Sequence, residues 1–378
     1  MSVTVPAHRL PLIRNDETMR YRPLGKTGLM VSALSFGCMR LSEDMELNER
    51  LISRAIDLGI NYFETTRGYC GGQCQQRVAP GLRKKLTGVI VSGKARVGPD
   101  VTAYTFRKEI ERQLDILGLD HFKFFQVGWF RWPSMEHLLR RGGALDALRQ
   151  AQDEGLIHHV GFTGHDTVEG FRHCIETGLF DTITIPYNLI NRSYEPLMAR
   201  CVELGIGVVA MCPVAGGTLS FAPTEFDVRG LKVLNPAGAL RFVLSNPTVS
   251  TACSGMNTME MLEENVRTVK AFDPAEGAAQ EAQDADMLRQ KLGDEFCTGC
   301  NYCAGCPVKL NVGQLMQVWQ WGESFGLADW AHATLRNLPE DRRPALCTEC
   351  GQCETRCPNK IQIRRRLKEL AEMVHGKR

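Results

Sequence analysis

The sequence predicts an α/β chain built as a closed (β/α)8 barrel, the TIM-barrel architecture, followed by a smaller helical domain. Three observations predict it. Short β-branched runs alternate eight times with amphipathic helical patterns between about residues 30 and 270. That number of units fits a barrel better than a doubly wound sheet, which more usually stops near six strands. The 378 residues also exceed one ordinary core, so a second unit is expected.

In chain order, YRPLGKTGL at 21–29 sets turn residues between two short apolar pieces, a hairpin that would plug the barrel bottom. The predicted strands are 31–36, 60–64, 88–92, 121–127, 158–163, 182–185, 207–211 and 248–253. Between the first two, NERLISRAIDLG puts apolar residues 51, 52, 55, 56 and 58 on one helical face. The long segment 214–236, after the seventh strand, lies where a flap over the site is expected. The barrel is assigned residues 1–272, a small-residue acidic linker helix 273–290, and a cysteine-rich domain 291–378.

Composition narrows the function. With 43% hydrophobic and 23% charged residues and a net charge of +2, nothing global steers the chain toward nucleic acid or an anionic membrane, and a small-molecule substrate is expected. The N-terminal residues lack an apolar signal core, and the most apolar run, 205–217, is shorter than a membrane span, so a cytoplasmic protein is expected. Fifteen cysteines without a signal peptide point to metal or redox chemistry rather than disulfides.

The tail holds CTGCNYCAGCP at 297–307 and CTECGQCETRCP at 347–358, two C-x2-C-x2-C runs each closed by Cys-Pro. Thiolates at that spacing wrap three corners of a 4Fe-4S cluster; two zinc sites are the alternative, though zinc knuckles rarely show this strict spacing. The runs resemble two-cluster ferredoxins, in which the fourth cysteine of each run ligates the other cluster. That resemblance implies Cys297, Cys300 and Cys303 with Cys357, and Cys347, Cys350 and Cys353 with Cys306. The helical pattern between the runs resembles the helical ferredoxin type, which implies electron transfer. The basic end IRRRLKELAEMVHGKR would dock an acidic, ferredoxin-like electron carrier or simply form a solvated helix face.

MRYRPLGKTGLMVSALSFGCMRL, INYFETTRGY and IPYNLINR resemble the aldo-keto reductase superfamily, in particular the bacterial branch with a C-terminal 4Fe-4S ferredoxin domain, over residues 20–365. That family reduces carbonyls with a nicotinamide cofactor, using a tetrad of Asp, Tyr, Lys and His at the barrel mouth. The resemblance implies Tyr69 as the proton donor or acceptor, Lys94 as its tuner and Glu64 in the acid position. An ammonium beside a phenol is expected to lower the phenol pKa, and a carboxylate beside the ammonium to hold it in place. The histidine position is Gly128. His165, after the fifth strand, is either its substitute or a structural hydrogen-bonder.

On the cofactor side the resemblance implies Pro213, Gly216 and Gly217 in the loop closing on the pyrophosphate, and Glu264 and Asn265 near the adenine. Gly255 and Met261 stand where NADP-binding members have a lysine and an arginine, so NAD(P)H binding is left open. Cys70, Cys74, Cys212 and Cys253, with Cys38, fall at the C-terminal rim if the barrel closes. They would hold a third cluster, or serve as small buried hydrophobes, as Cys174 and Cys201 are read. GWFRWP at 128–133 gathers Trp129, Phe130 and Trp132 around Arg131, with Arg67 nearby, a group suited to a flat or carboxylated substrate or to ordinary loop packing.

The leading reading is therefore an iron-sulfur oxidoreductase that couples one-electron transfer through two 4Fe-4S clusters to a small organic substrate. A nicotinamide-dependent carbonyl reductase with structural clusters and a non-catalytic electron-transfer subunit are the alternatives.

Overall fold

Residues 19–220, 235–273, 286, 290, 296–297, 302–324 and 327–374 are described by the computed structural model. Cys300, residues 221–234 of the expected flap, and most of the expected linker helix lie outside the described residues.

The barrel strands are β3 (Leu34–Gly37), β4 (Tyr62–Glu64), β5 (Ile90–Arg96), β6 (Phe122–Gly128), β7 (Ile157–Thr163), β8 (Thr182–Pro186), β9 (Gly207–Met211) and β10 (Thr251–Ser254). All pair in parallel and in chain order, and β10 closes on β3. They are preceded by the antiparallel hairpin β1 (Tyr21–Pro23) and β2 (Met30–Ser32). The helices of this part are α1 (Met45–Asp57), α2 (Cys74–Arg83), α3 (Ala103–Leu117), α4 (Met135–Leu139), α5 (Ala144–Asp153), α6 (Val168–Glu176), α7 (Glu195–Leu204), α8 (Pro236–Ser245) and α9 (Met259–Ala271). The α1 face expected from residues 51, 52 and 55 is the buried one, and Asp44 caps the helix by accepting the Leu47 N–H at 2.9 Å.

Most strand boundaries shift from expectation by one to four residues, and two of the shifts have clear consequences. The run 31–36 divides between β2 and β3, because Ser32 turns inward to donate to the Leu34 carbonyl at 2.7 Å while Ala33 N–H bonds Arg20 O at 2.7 Å. The third barrel strand runs on to Arg96, so Lys94 sits within the strand instead of on the loop after it.

The hairpin plugs the barrel bottom. Leu24 and Val31 join Tyr62, Ile90, Phe124 and Val209 in one buried cluster. Gly25 makes this possible. It has φ +57, and a Cβ there would lie 2.4 Å from Gly205 O and from Gly207 N, at the entry to β9.

The chain divides into two compact units; residues 188–192, 214–220 and 235–239, with the first turn of α8, group with the second unit and not with the barrel. The second unit contains α10 (Val312–Ser324), α11 (Ala328–Arg336), α12 (Gln352–Arg356) and α13 (Ile363–Val374). Its core of Leu310, Leu315, Met316, Leu335, Leu367 and Leu370 has Cys297 buried in it and Cys303, Cys306, Cys347, Cys353 and Cys357 packed against it. No helix among the described residues is long and apolar enough to cross a membrane.

Gly25→Ala is expected to destabilise the chain by about 2–4 kcal/mol in denaturant unfolding, from left-handed strain plus the backbone clash. Gly28→Ala is the control. It has φ +76 with nothing within 4 Å of the added carbon, so it should cost about 1 kcal/mol.

Candidate active site and candidate iron-sulfur region

Three chain segments meet at the C-terminal end of the barrel. Glu64 ends β4, Lys94 lies in β5, and Tyr69 stands on the turn that links β4 to α2. Lys94 Nζ pairs with the Glu64 carboxylate and donates to the Tyr69 hydroxyl. Only 4% of the Lys94 side chain and 7% of the Glu64 side chain are exposed, so this ion pair is shut from water and only weakly screened.

The lysine is fixed from behind as well. Its backbone carbonyl accepts from Thr66 Oγ1 and Gln113 Nε2, both at 2.9 Å, and Gln113 is in turn held by Gln75 at 2.8 Å. Gln113 was legible as an anomaly, a polar residue on the buried stripe of α3 formed by Phe106, Ile110, Leu114 and Leu117. Sequence reading passed over it.

The expected lowering of the phenol pKa is corrected. Burial, then the charge on Glu64 and the nearby Cys253, Cys212 and Cys74, hold Tyr69 well above its ordinary range. With the Glu64 carboxylate beside it, Lys94 brings little net positive charge to the phenol. Tyr69 therefore rests as a protonated donor.

Gly128 ends β6 directly across from β5. A Cβ on it would stand 3.4 Å from Lys94 Cδ, ordinary contact distance, so the lysine stem is left bare on that side. His165, in the loop after β7, is buried. Burial and the charge on Lys94 lower its pKa to about 4, which keeps its imidazole neutral.

The aromatic loop separates into different roles. Trp129, 42% exposed and at φ 52, presents its ring edge-on to Tyr69 at 6.3 Å and lies 5.8 Å from Lys94 Nζ. Phe130 is a core residue packed on Phe162 and Phe180, and Trp132 lies against His173. Arg67 is engaged by Glu109 at 2.9 Å. The expected cluster around Arg131 thus reduces to Trp129 beside the phenol.

Of the cofactor positions, Asn265 is buried on α9 and donates to Ser254 Oγ at 3.3 Å, while Glu264 beside it is exposed. Gly216 and Gly217, at φ 68 and 100, follow Cys212 and Ala215 at φ 55 and 51, so the chain after Pro213 turns through consecutive left-handed residues. Gly255 has Arg40 against it, with Arg40 Cγ 3.0 Å from where a Cβ would be. The stem of Arg40, from the segment between β3 and α1, thus packs against that position.

Cys70 and Cys74 both donate to the Cys38 carbonyl, at 3.7 and 3.3 Å. Cys253 and Cys212 lie toward Tyr69. Burial raises the Cys38 and Cys253 thiols, which favours S–H over thiolate.

In the second unit the donor set fits iron-sulfur chemistry. The Cys347 sulfur accepts the Glu349 N–H at 3.4 Å, and Glu349 and Gly351 take left-handed φ of 53 and 74 to wrap the chain around it. Asn359 Nδ2 to Phe296 O at 3.0 Å and Arg356 to Ala304 O at 2.8 Å tie the second run to the first, beside Cys357 and Cys297. Among the described residues, neither here nor at the barrel mouth do three Cys, His, Asp or Glu side chains gather as they would around a single ion. A cluster is larger and spreads its thiolates around a cage.

A model of the Aldo/keto reductase family matches residues 33–230, and a model of the 4Fe-4S dicluster domain matches residues 294–361. L-galactose dehydrogenase of Arabidopsis thaliana is 27% identical over 287 residues, covering 67% of this chain and 88% of the plant protein. Protein tas of Escherichia coli (strain K12) is 23% identical over 326 residues, covering 66% and 93%. Among solved structures, the aldo-keto reductase AKR11C1 from Bacillus halodurans (holo form) superposes with a TM-score of 0.62 at 23% identity, covering 71% of this chain and 96% of that one, a likeness of fold.

Because His165 is neutral when folded and takes a proton at its ordinary pKa of 6.5 when unfolded, its contribution to stability is lost as pH falls from about 6.5 to 4. His165→Gln should remove about 2–3 kcal/mol of that decline, read from unfolding midpoints across the range. NMR titration of the imidazole in Lys94→Met should show its pKa raised.

Proposed function

The chain belongs to the aldo/keto reductase family and carries a 4Fe-4S dicluster domain, and on that premise we propose an iron-sulfur oxidoreductase that reduces or oxidises a small aromatic substrate at the barrel mouth, exchanging single electrons with a ferredoxin-like carrier. The observation that carries the reading is the buried Glu64–Lys94–Tyr69 chain opening toward Trp129.

In the reducing direction a carbonyl becomes an alcohol by gaining two electrons and two protons. Tyr69 gives one proton from its hydroxyl to the substrate oxygen, and the other comes from solvent. Lys94, held by Glu64, meets the phenolate as it forms, so the pair is most useful in the transition state, when negative charge appears on Tyr69. Trp129 offers an exposed ring beside the phenol against which a flat substrate stacks. With Arg67 committed to Glu109, the aromatic reading is preferred over the carboxylated one. With Gly128 in place of an imidazole, orientation of the substrate oxygen falls to Tyr69 and to the neutral His165 on the same rim.

Cys297, Cys300, Cys303 and Cys357 would hold one cluster and Cys347, Cys350, Cys353 and Cys306 the other, and when bound each accepts or gives up one electron. A second reading, a nicotinamide-dependent carbonyl reductase with structural clusters, is favoured by Arg40 against Gly255, a cation available to a phosphorylated cofactor.

Tyr69→Phe is expected to cut turnover by about 10²- to 10⁴-fold with cluster content unchanged. Undiminished turnover would make the barrel a scaffold for electron transfer alone. Tight binding of NADPH or NADH, followed by fluorescence, would move the assignment to the second reading.

Anaerobically purified protein should contain about eight iron atoms and eight acid-labile sulfides per chain, and Cys350→Ser should lose about half of each. About twelve of each would establish a third cluster.

A further inference from the structure

The turn that carries two thiols is hydrogen-bonded to the backbone carbonyl of the proposed proton donor. Gly72 and Cys74 donate their N–H groups to Tyr69 O at 2.9 and 3.3 Å, so the turn bearing Cys70 and Cys74 is folded back on Tyr69 itself. The Cys70 and Cys74 thiols share one acceptor, donating to the Cys38 carbonyl at 3.7 and 3.3 Å. Cys74, fully buried at the start of α2, also bonds Thr65 Oγ1 at 3.2 Å, whereas Cys70 is partly exposed. One thiol is reachable from solvent and the other waits beneath it.

The surroundings favour charge on the outer sulfur. Arg77, one turn into α2, is buried and donates to Leu41 O at 3.0 Å and Gln73 Oε1 at 3.2 Å, both neutral, and the same Leu41 carbonyl accepts the Cys70 thiol at 3.6 Å, which sets the guanidinium near that sulfur. A buried guanidinium with only neutral oxygens around it is best balanced by an anion, and Cys70 is the group placed to become one. Cys70, Gly71 and Gly72 all occupy left-handed conformations, at φ 52, 64 and 93, so the link between the sulfurs is bent tightly and two of its residues are glycines. Cys174 and Cys201 differ on each point. They are buried on helices, and burial raises their thiols.

We propose that Cys70 and Cys74 form a redox-active dithiol, oxidised by low-molecular-weight disulfides, with Cys70 as the attacking thiol and Cys74 as the resolving one. The Cys70 thiolate attacks one sulfur of the small disulfide, breaks its S–S bond and expels one thiolate. The Cys74 thiol then gives up its proton and attacks the Cys70 sulfur, forming the protein disulfide and expelling the second thiolate. Two protein thiols are oxidised and one small disulfide is reduced to two thiols. The site sits within one turn of Tyr69, so oxidation is registered at the proton donor.

The test uses the full chain, purified anaerobically with its iron, exposed to oxidised glutathione and mapped by mass spectrometry after alkylation. The expected product is a Cys70–Cys74 disulfide, reversed by dithiothreitol. Cys74→Ser or Cys74→Ala should trap one glutathione on Cys70, and Cys70→Ser should trap none in this segment. Arg77→Gln should slow the oxidation about tenfold, with Arg77→Lys restoring most of the rate. Iron content should be the same in all variants. The proposal is overturned if both thiols stay open to alkylation after glutathione treatment, if the trapped adduct falls on another cysteine, or if the cysteine variants lose iron, which would make these residues cluster ligands.

Discussion

A buried ammonium is the constraint from which the rest of the barrel follows. Lys94 points into the C-terminal end of the cylinder with almost none of its side chain exposed, and a charge so placed persists only with a partner of opposite sign and further polar contacts. Glu64 on the neighbouring strand supplies the carboxylate and Tyr69 the hydroxyl. The parallel pairing of β4 with β5 sets this distance, because each residue faces a defined partner across the ladder. The loop that delivers Tyr69 is then committed to cross over Lys94. Thr66 and Gln113 hold the lysine's own carbonyl as it does so.

Neutralising Lys94 with Glu64 has a chemical consequence. The phenol gains less from the ammonium than a bare Lys–Tyr pair would give it, and burial keeps it protonated. Such a tyrosine suits proton donation, since the lysine's help arrives as the phenolate appears. Around this unit the barrel departs from the tetrad pattern in a coordinated way. The imidazole is absent at Gly128, a neutral histidine stands on the rim, and a thiol pair occupies the turn below the phenol.

The C-terminal unit obeys different physics. Its helices share a small apolar core, and six of its cysteines lie in or against that core instead of on open surface. Contacts through Asn359 and Arg356 hold the end of the second cysteine run against both the start and the end of the first. Stability in so small a unit is expected to depend on its bound metal as much as on its apolar contacts.

Much of this was legible in the residues alone. Strand period, helix faces and the hairpin motif specified the barrel, because alternation and amphipathicity are local properties that report directly which face is buried. Cysteine spacing specified the iron-sulfur region for the same reason, and Tyr69, Lys94, Glu64 and Gly128 were singled out by the resemblance to aldo-keto reductases. Only the tertiary structure could assign Phe130 to the core and Trp129 to the phenol, give Arg67 to Glu109, set Arg40 over Gly255, and show Tyr69 raised instead of lowered. Each of those outcomes depends on which distant side chain arrives at a given point and how much water it displaces. Pairwise distance and desolvation arise when the cylinder closes, so no linear stretch of sequence contains them.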